Sequence, residues 1–194
     1  MTRARIFFIT AAALIVARAS DLLTTFHFNP SLSLEANPVV LVFGGGIASL
    51  IAITVIVSAV EIVSLVVFWR GRALVLRGSV PDTATGFVRL WLKRVLLDRQ
   101  PFTAYLPGGS RSNEGLQSVR LFGVGLSWAL IFASLTGVYS WVAIWRNHHP
   151  GYKAVFSYIA IGRFSLFPAT VALLGFLFGA SLFFQSEHLE SKKQ

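Results

Sequence analysis

The chain has 194 residues, of which 55% are hydrophobic and 13% charged, and its mean hydropathy is +0.68. Soluble domains average about 25% charged residues, so this composition indicates a membrane protein. The absence of cysteine excludes disulfides, thiolate metal sites and catalytic thiols. The net charge of +9 comes mostly from cations that flank apolar runs. Nucleic-acid binding would need a basic face carrying stacking aromatic side chains, so the expected partner is the lipid bilayer and not nucleic acid.

The first apolar run extends from Ile6 to Ala17 after a basic start. This pattern resembles a signal peptide, with a small-x-small cleavage site around Arg18. The alternative is an uncleaved helix, because apolar character resumes through Phe26 and gives about 20 residues, enough to cross a ~30 Å hydrocarbon core. We expect the helix to be retained over about residues 6–27.

A turn signal follows at Asn29-Pro30, and Asn37-Pro38 has the pattern of a helix start, with Asn37 as its N-cap. The second predicted helix covers residues 39–69. Glu61 lies about two to three turns inside its far end at ~1.5 Å per residue. We expect this carboxylate to reach the membrane surface or to pair with a basic neighbour; lining a proton path is the alternative.

The connection over residues 70–118 is long and rich in arginine. Within it, apolar residues between Phe87 and Leu96 form one helical arc beside Arg89 and Lys93. This pattern predicts an amphipathic helix on an anionic membrane surface, or a helix that binds a protein partner. A flexible loop is predicted from Pro107 to Gly115.

Two more apolar runs predict helices over residues 119–146 and 154–184. Gly175 and Gly179 in the last run have the GxxxG spacing of closely packed membrane helices. The expected fold is all-α: one integral membrane domain, residues 1–194, with four transmembrane helices and a cytoplasmic amphipathic interfacial helix. Cations concentrate on the side of both termini and the central loop. The positive-inside rule therefore predicts a cell-membrane protein with both termini cytoplasmic.

Polar side chains are predicted to converge in the outer half of this bundle. Arg18 and Asp21 are three residues apart and so share a helix face, and Arg163 lies at a comparable depth. The candidate polar or ligand-binding cluster consists of Arg18, Asp21, Thr25, Glu35, Asn37 and Arg163. Its members can neutralise one another and hold the helices in register, or they can line an outward pocket for an ion or small polar ligand.

Histidines fall on the same side, at His27, His148 and His149. They are weak candidates for metal ligands, because no HExxH or similar spacing is present and adjacent histidines in a turn point in different directions. The sequence also has no P-loop, dinucleotide fingerprint or GxSxG motif. No metal, cofactor or catalytic residue is therefore predicted.

Asp21, the Thr24-Thr25 pair and the segment Glu35-Ala36-Asn37-Pro38 form a short signature. It resembles that of an uncharacterised family of small bacterial and archaeal multi-pass membrane proteins, in which Asp-x-x-Thr-Thr ends one helix and Glu-x-Asn-Pro opens the next. The resemblance covers roughly residues 18–50. It implies an integral membrane protein and carries over no activity or cofactor.

Three functions fit these features. The leading hypothesis is a non-enzymatic protein that scaffolds or assembles with other membrane proteins or with itself. The second is an oligomeric transporter or channel for an ion or small polar solute, with Asp21, Glu35 and Arg163 along its path. The third is a membrane-embedded hydrolase or transferase that uses Asp21 or Glu35 as acid or base.

Overall fold

The computed structural model describes residues 1–28, 46–71, 81–93, 112–147, 160–161 and 164–192. Its helices are α1 (Arg3–Phe28), α2 (Ile47–Arg70), α3 (Ala84–Leu92), α4 (Ser112–Asn147) and α5 (Leu166–Ser191). One two-residue antiparallel pair, β1 (Ala160–Ile161) and β2 (Phe164–Ser165), precedes α5, with Ala160 opposite Ser165. The rest of the described secondary structure is helical, which confirms the predicted all-α class.

Four of the helices are long and apolar enough to cross a membrane. These candidate spans are Arg3–Phe28, Ile47–Arg70, Gln117–Val142 and Ala169–Ser191. These spans contain 23 to 26 residues, and about 20 residues cross a ~30 Å hydrocarbon core. The chain is therefore a multi-pass membrane protein with four candidate spans, as predicted.

Neighbouring spans run in alternating directions. Arg3 Nη1 donates to the Gly71 carbonyl at 2.6 Å, which joins the start of α1 to the end of α2. Arg120 Nη2 donates to Glu187 Oε1 at 2.7 Å, which joins the first part of α4 to the end of α5. Arg3, Gly71, Arg120 and Glu187 therefore lie at one end of the bundle, here called the terminal end; the other is the distal end.

Helix α4 occupies the centre of the bundle, in contact with α1, α2 and α5. Its contact with α5 is close because glycines lie at the crossing. A Cβ added at Gly175 would lie 2.5 Å from the Trp128 carbonyl oxygen, and one at Gly179 would lie 2.6 Å from the Val124 carbonyl oxygen. The predicted GxxxG contact is thus made within the chain, between α5 and α4.

Three helix boundaries differ from the sequence prediction. Helix α2 begins at Ile47, with Gly46 in an extended conformation at its N-cap, and not at residue 39; Gly46 closes a run of three glycines, which disfavour a helix interior. Helix α5 begins at Leu166 and not near residue 154, so Pro168 lies in its first turn, where proline removes no intrahelical hydrogen bond. Helix α4 begins at Ser112, so the loop predicted through Gly115 was wrong from Ser112 onward. Serine and asparagine favour both loops and helix N-termini, which explains the error.

The amphipathic helix α3 packs against the terminal end of the bundle. The Thr83 hydroxyl accepts a hydrogen bond from the Gly86 N–H at 3.1 Å and caps the helix. Phe87 and Trp91 are fully buried, and the Trp91 ring lies edge-on to Phe183 on α5 with the centroids 5.7 Å apart. Part of the predicted apolar arc therefore contacts protein, and Leu92 also packs against this core; Val95 and Leu96 lie outside the described residues.

Gly175→Ala is expected to lower the melting temperature of the chain in detergent. The added methyl group meets backbone atoms of α4, which cannot move aside singly, and overpacking costs about 1–3 kcal/mol. This cost should outweigh the gain of about 0.5–1 kcal/mol that alanine brings to a helix interior. Gly46→Ala adds the same methyl group without a clash, because a Cβ there has no heavy atom within 4 Å; it lies at the N-cap of α2 and so lacks the helix-interior gain. A melting temperature for Gly175→Ala at or above that of the wild type would contradict the close α4–α5 contact.

Candidate functional site

The α1 members of the predicted polar cluster lie together near the distal end. Arg18 Nη1 is 3.9 Å from Asp21 Oδ2 and 3.3 Å from the Ser134 hydroxyl on α4, to which it donates. Asp21 also lies against α4, since a Cβ added at Gly137 would be 2.5 Å from Asp21 Oδ1. Thr25 is buried. Ser134 and Gly137 belong to this cluster, although the sequence did not indicate either of them.

Glu35, Asn37 and Arg163 lie outside the described residues, and so do His148 and His149. His27 is exposed, and its ring is 4.6 Å from that of Phe28. Within the described part of the chain, no group of three histidine or carboxylate side chains could hold a metal ion.

Glu61 contacts a hydroxyl group in the interior of the bundle. The Ser127 hydroxyl of α4 lies 2.9 Å from Glu61 Oε2 and 2.8 Å from the Gly123 carbonyl oxygen. The Glu61 side chain is buried, so it does not reach the membrane surface as expected. Its partner in the described structure is this serine and not a basic neighbour. The contact ties the middle of α2 to α4.

Among the described residues, the most buried charged side chains form a network at the terminal end, which was not predicted from the sequence. Glu187 Oε1 lies 2.7 Å from Arg3 Nη2 and 2.7 Å from Arg120 Nη2. The side chains of Glu187 and Arg120 are 0% and 1% exposed, and that of Arg3 is 12% exposed. One carboxylate from α5 therefore joins two guanidinium groups, one from α1 and one from α4.

The same arginines also satisfy the end of α2. The last carbonyl groups of a helix have no partner within the helix. Arg120 donates to the Phe68 carbonyl from Nε at 3.3 Å and from Nη2 at 3.2 Å, and its Nη1 donates to Gln117 Oε1 at 2.8 Å. Arg3 donates to the Gly71 carbonyl. All four candidate spans thus meet in one hydrogen-bonded network.

In the sequence these three residues lie far apart, and none was predicted as a site residue. Arg3 belongs to the basic start, Arg120 follows the arginine-rich connection, and Glu187 follows the last apolar run. One signal could have identified the network: Glu187 is an acidic residue in the last turns of a helix at an end where most charges are positive. Negative charge near a helix C-terminus is unfavourable, so its presence there suggests cationic partners.

In chemical terms, these arrangements neutralise charge and link helices. The described charged side chains at Arg18, Asp21, Glu187 and Arg120 contact one another or a polar group on a neighbouring helix. Searches against protein-family models, curated proteins and solved structures gave no match.

Glu187→Gln is expected to destabilise the chain strongly, because it leaves two buried guanidinium groups without their carboxylate. Removing one partner of a buried ion pair typically costs about 3–5 kcal/mol. Arg120→Gln should cost less, since Arg3 remains beside Glu187 and still compensates its charge. Thermal melting of both variants in the same detergent compares their losses of stability. Asp82→Asn, which changes an exposed carboxylate, is the control. A larger loss for Arg120→Gln would contradict the central role of Glu187.

A double-mutant cycle measures the contact between Arg18 and Asp21. Their 3.9 Å separation and partial exposure predict a coupling free energy of about 0.2–1 kcal/mol, the range for exposed pairs. The cycle compares melting of the wild type, Arg18→Gln, Asp21→Asn and the double variant. A coupling energy near zero would show that Arg18 and Asp21 do not stabilise one another.

Proposed function

We propose that this chain is a non-enzymatic protein of the cell membrane that acts as a scaffold or assembly component for other membrane proteins or for further copies of itself. The observation that carries this proposal is the internal use of charge: Glu187 joins Arg3 and Arg120, and Glu61 is bound to Ser127. These side chains bind one another inside the bundle and therefore stabilise it. The exposed apolar faces of the helices then remain as the surfaces for interaction.

Helix α2 offers the clearest face for such an interaction. Its buried side chains lie on one side and include Glu61, Leu65 and Phe68. The opposite side is exposed, with Ala52 and Ala59 at its centre. Small residues on a membrane helix allow a second helix to approach closely. Gly175 and Gly179 cannot serve this purpose, because they already contact α4.

Orientation with both termini in the cytoplasm is part of the proposal. Exposed cations among the described residues concentrate at the terminal end: Arg5, Arg70, Arg89, Lys93 and Lys192. At the distal end, Arg18 and Asp21 balance each other. The positive-inside rule places the side richer in lysine and arginine in the cytoplasm.

Transport of an ion or small solute is the second candidate, and one observation favours it. Glu61 is an ionisable group in the interior of a span whose partner is a neutral hydroxyl, and such residues commonly lie on ion pathways. Asp21, whose side chain is 28% exposed, could form the distal part of such a path. A path through four helices would require an oligomer.

Site-specific crosslinking tests the scaffold proposal. The chain has no cysteine, so each introduced thiol is unique. Ala59→Cys, on the exposed face of α2, is expected to crosslink to a second chain in native membranes. Leu65→Cys, on the buried face of the same helix, is the matched control and should not crosslink. Electrophoresis of the crosslinked membranes, with mass spectrometry of the product, reads out both variants.

Two results would contradict the scaffold proposal. The first is that both variants crosslink equally, or that neither crosslinks, while the protein is a lone monomer after mild detergent extraction. The second is a flux in reconstituted vesicles that Glu61→Gln abolishes while the melting temperature stays unchanged. That second result would establish the transport hypothesis instead.

A further inference from the structure

Three aromatic rings form a seam between α1 and α2 at the terminal end. The Phe7 ring stacks on Trp69 with centroids 4.8 Å apart, and the Phe8 ring lies 5.7 Å from Trp69. Phe8 is 60% exposed, so the seam opens to the outside of the bundle. Tryptophan side chains at the ends of spans favour the boundary between hydrocarbon and headgroups, and Trp69 is at the centre of this seam.

Two exposed arginines flank this aromatic seam. The Arg70 guanidinium carbon lies 5.8 Å from the centroid of the Trp69 ring. Arg5 lies one helical turn before Phe8, and residues three apart share a helix face. Both arginines are exposed, in contrast to Arg3, which forms an ion pair with Glu187.

No carboxylate in the described part of the chain forms an ion pair with Arg5 or Arg70. Among the described side chains, the exposed carboxylate at the terminal end is Asp82, and it lies 4.0 Å from Lys192 on α5. Arg5 and Arg70 belong instead to the α1–α2 side. A guanidinium binds phosphate oxygens through two parallel N–H donors, so an anion with a phosphate group complements this pair.

We propose that Arg5 and Arg70 bind the phosphate of one anionic phospholipid, with its acyl chain lying over Phe8 and Trp69. A phospholipid fits better than a soluble phosphate, because the cations stand directly beside an exposed aromatic surface at the end of two spans. The bound lipid would cover the seam between α1 and α2. This proposal depends on the membrane location of the chain and not on the scaffold function.

Native mass spectrometry of the full chain in detergent tests the proposal, with phosphatidylglycerol and phosphatidylcholine as probes. The wild type is expected to retain phosphatidylglycerol preferentially. Arg5→Gln and Arg70→Gln should each weaken that binding about fivefold, the effect expected for one interfacial cation. Arg89→Gln removes an equal charge from α3 at the same end and is the matched control; it should change binding by less than about twofold. Melting temperatures confirm that each variant is folded.

Several results would overturn the proposal. Equal loss in all three variants would mean a diffuse attraction between a basic surface and any anionic lipid. Equal retention of the two lipids by the wild type would exclude recognition of the anionic headgroup. Displacement of phosphatidylglycerol by an equal concentration of inorganic phosphate would indicate a site for soluble anions. None of these results would bear on the crosslinking of α2, so the two proposals fail separately.

Discussion

The ion pairs of Glu187 with Arg3 and Arg120 are the constraint on which the terminal end of this bundle depends. A buried charge is costly unless it is paired. Here one carboxylate lies between two guanidinium groups, which also donate to the carbonyl groups of Phe68 and Gly71 at the end of α2. The network therefore fixes the relative position of four helices that otherwise meet through apolar contacts.

Packing along the spans follows a different principle. Between α4 and α5 the helices approach closely because Gly175 and Gly179 carry no side chain, and dispersion contacts replace the hydrophobic effect that lipid does not provide. Farther along, the Trp128 indole N–H donates to the Thr10 hydroxyl at 3.1 Å, and Ser127 bonds to Glu61. Isolated polar contacts thus set the register of helices, while small residues set their separation.

Both proposals concern surfaces that the internal ion pairs and hydrogen bonds leave exposed. The buried charges and the glycine pair are already engaged inside the chain, so they offer little to an external partner. What remains is the alanine-centred face of α2 and the aromatic seam that Arg5 and Arg70 flank. The first lies along the span and suits another helix, whereas the second lies at its end and suits a lipid headgroup. A scaffold that also binds an anionic lipid would combine the two surfaces without conflict.

The sequence by itself determined the number of candidate spans, the all-α class and the contact between Arg18 and Asp21, because these depend on run length, apolar composition and spacing within one helix. It predicted the apolar and basic faces of α3 for the same reason. Only the tertiary structure revealed the partners of Glu61 and Glu187, since Ser127 and Arg120 lie on other helices and no local pattern encodes which faces meet. The start of α5 at Leu166 was also ambiguous in the sequence, because a proline fits a first turn as well as a kink.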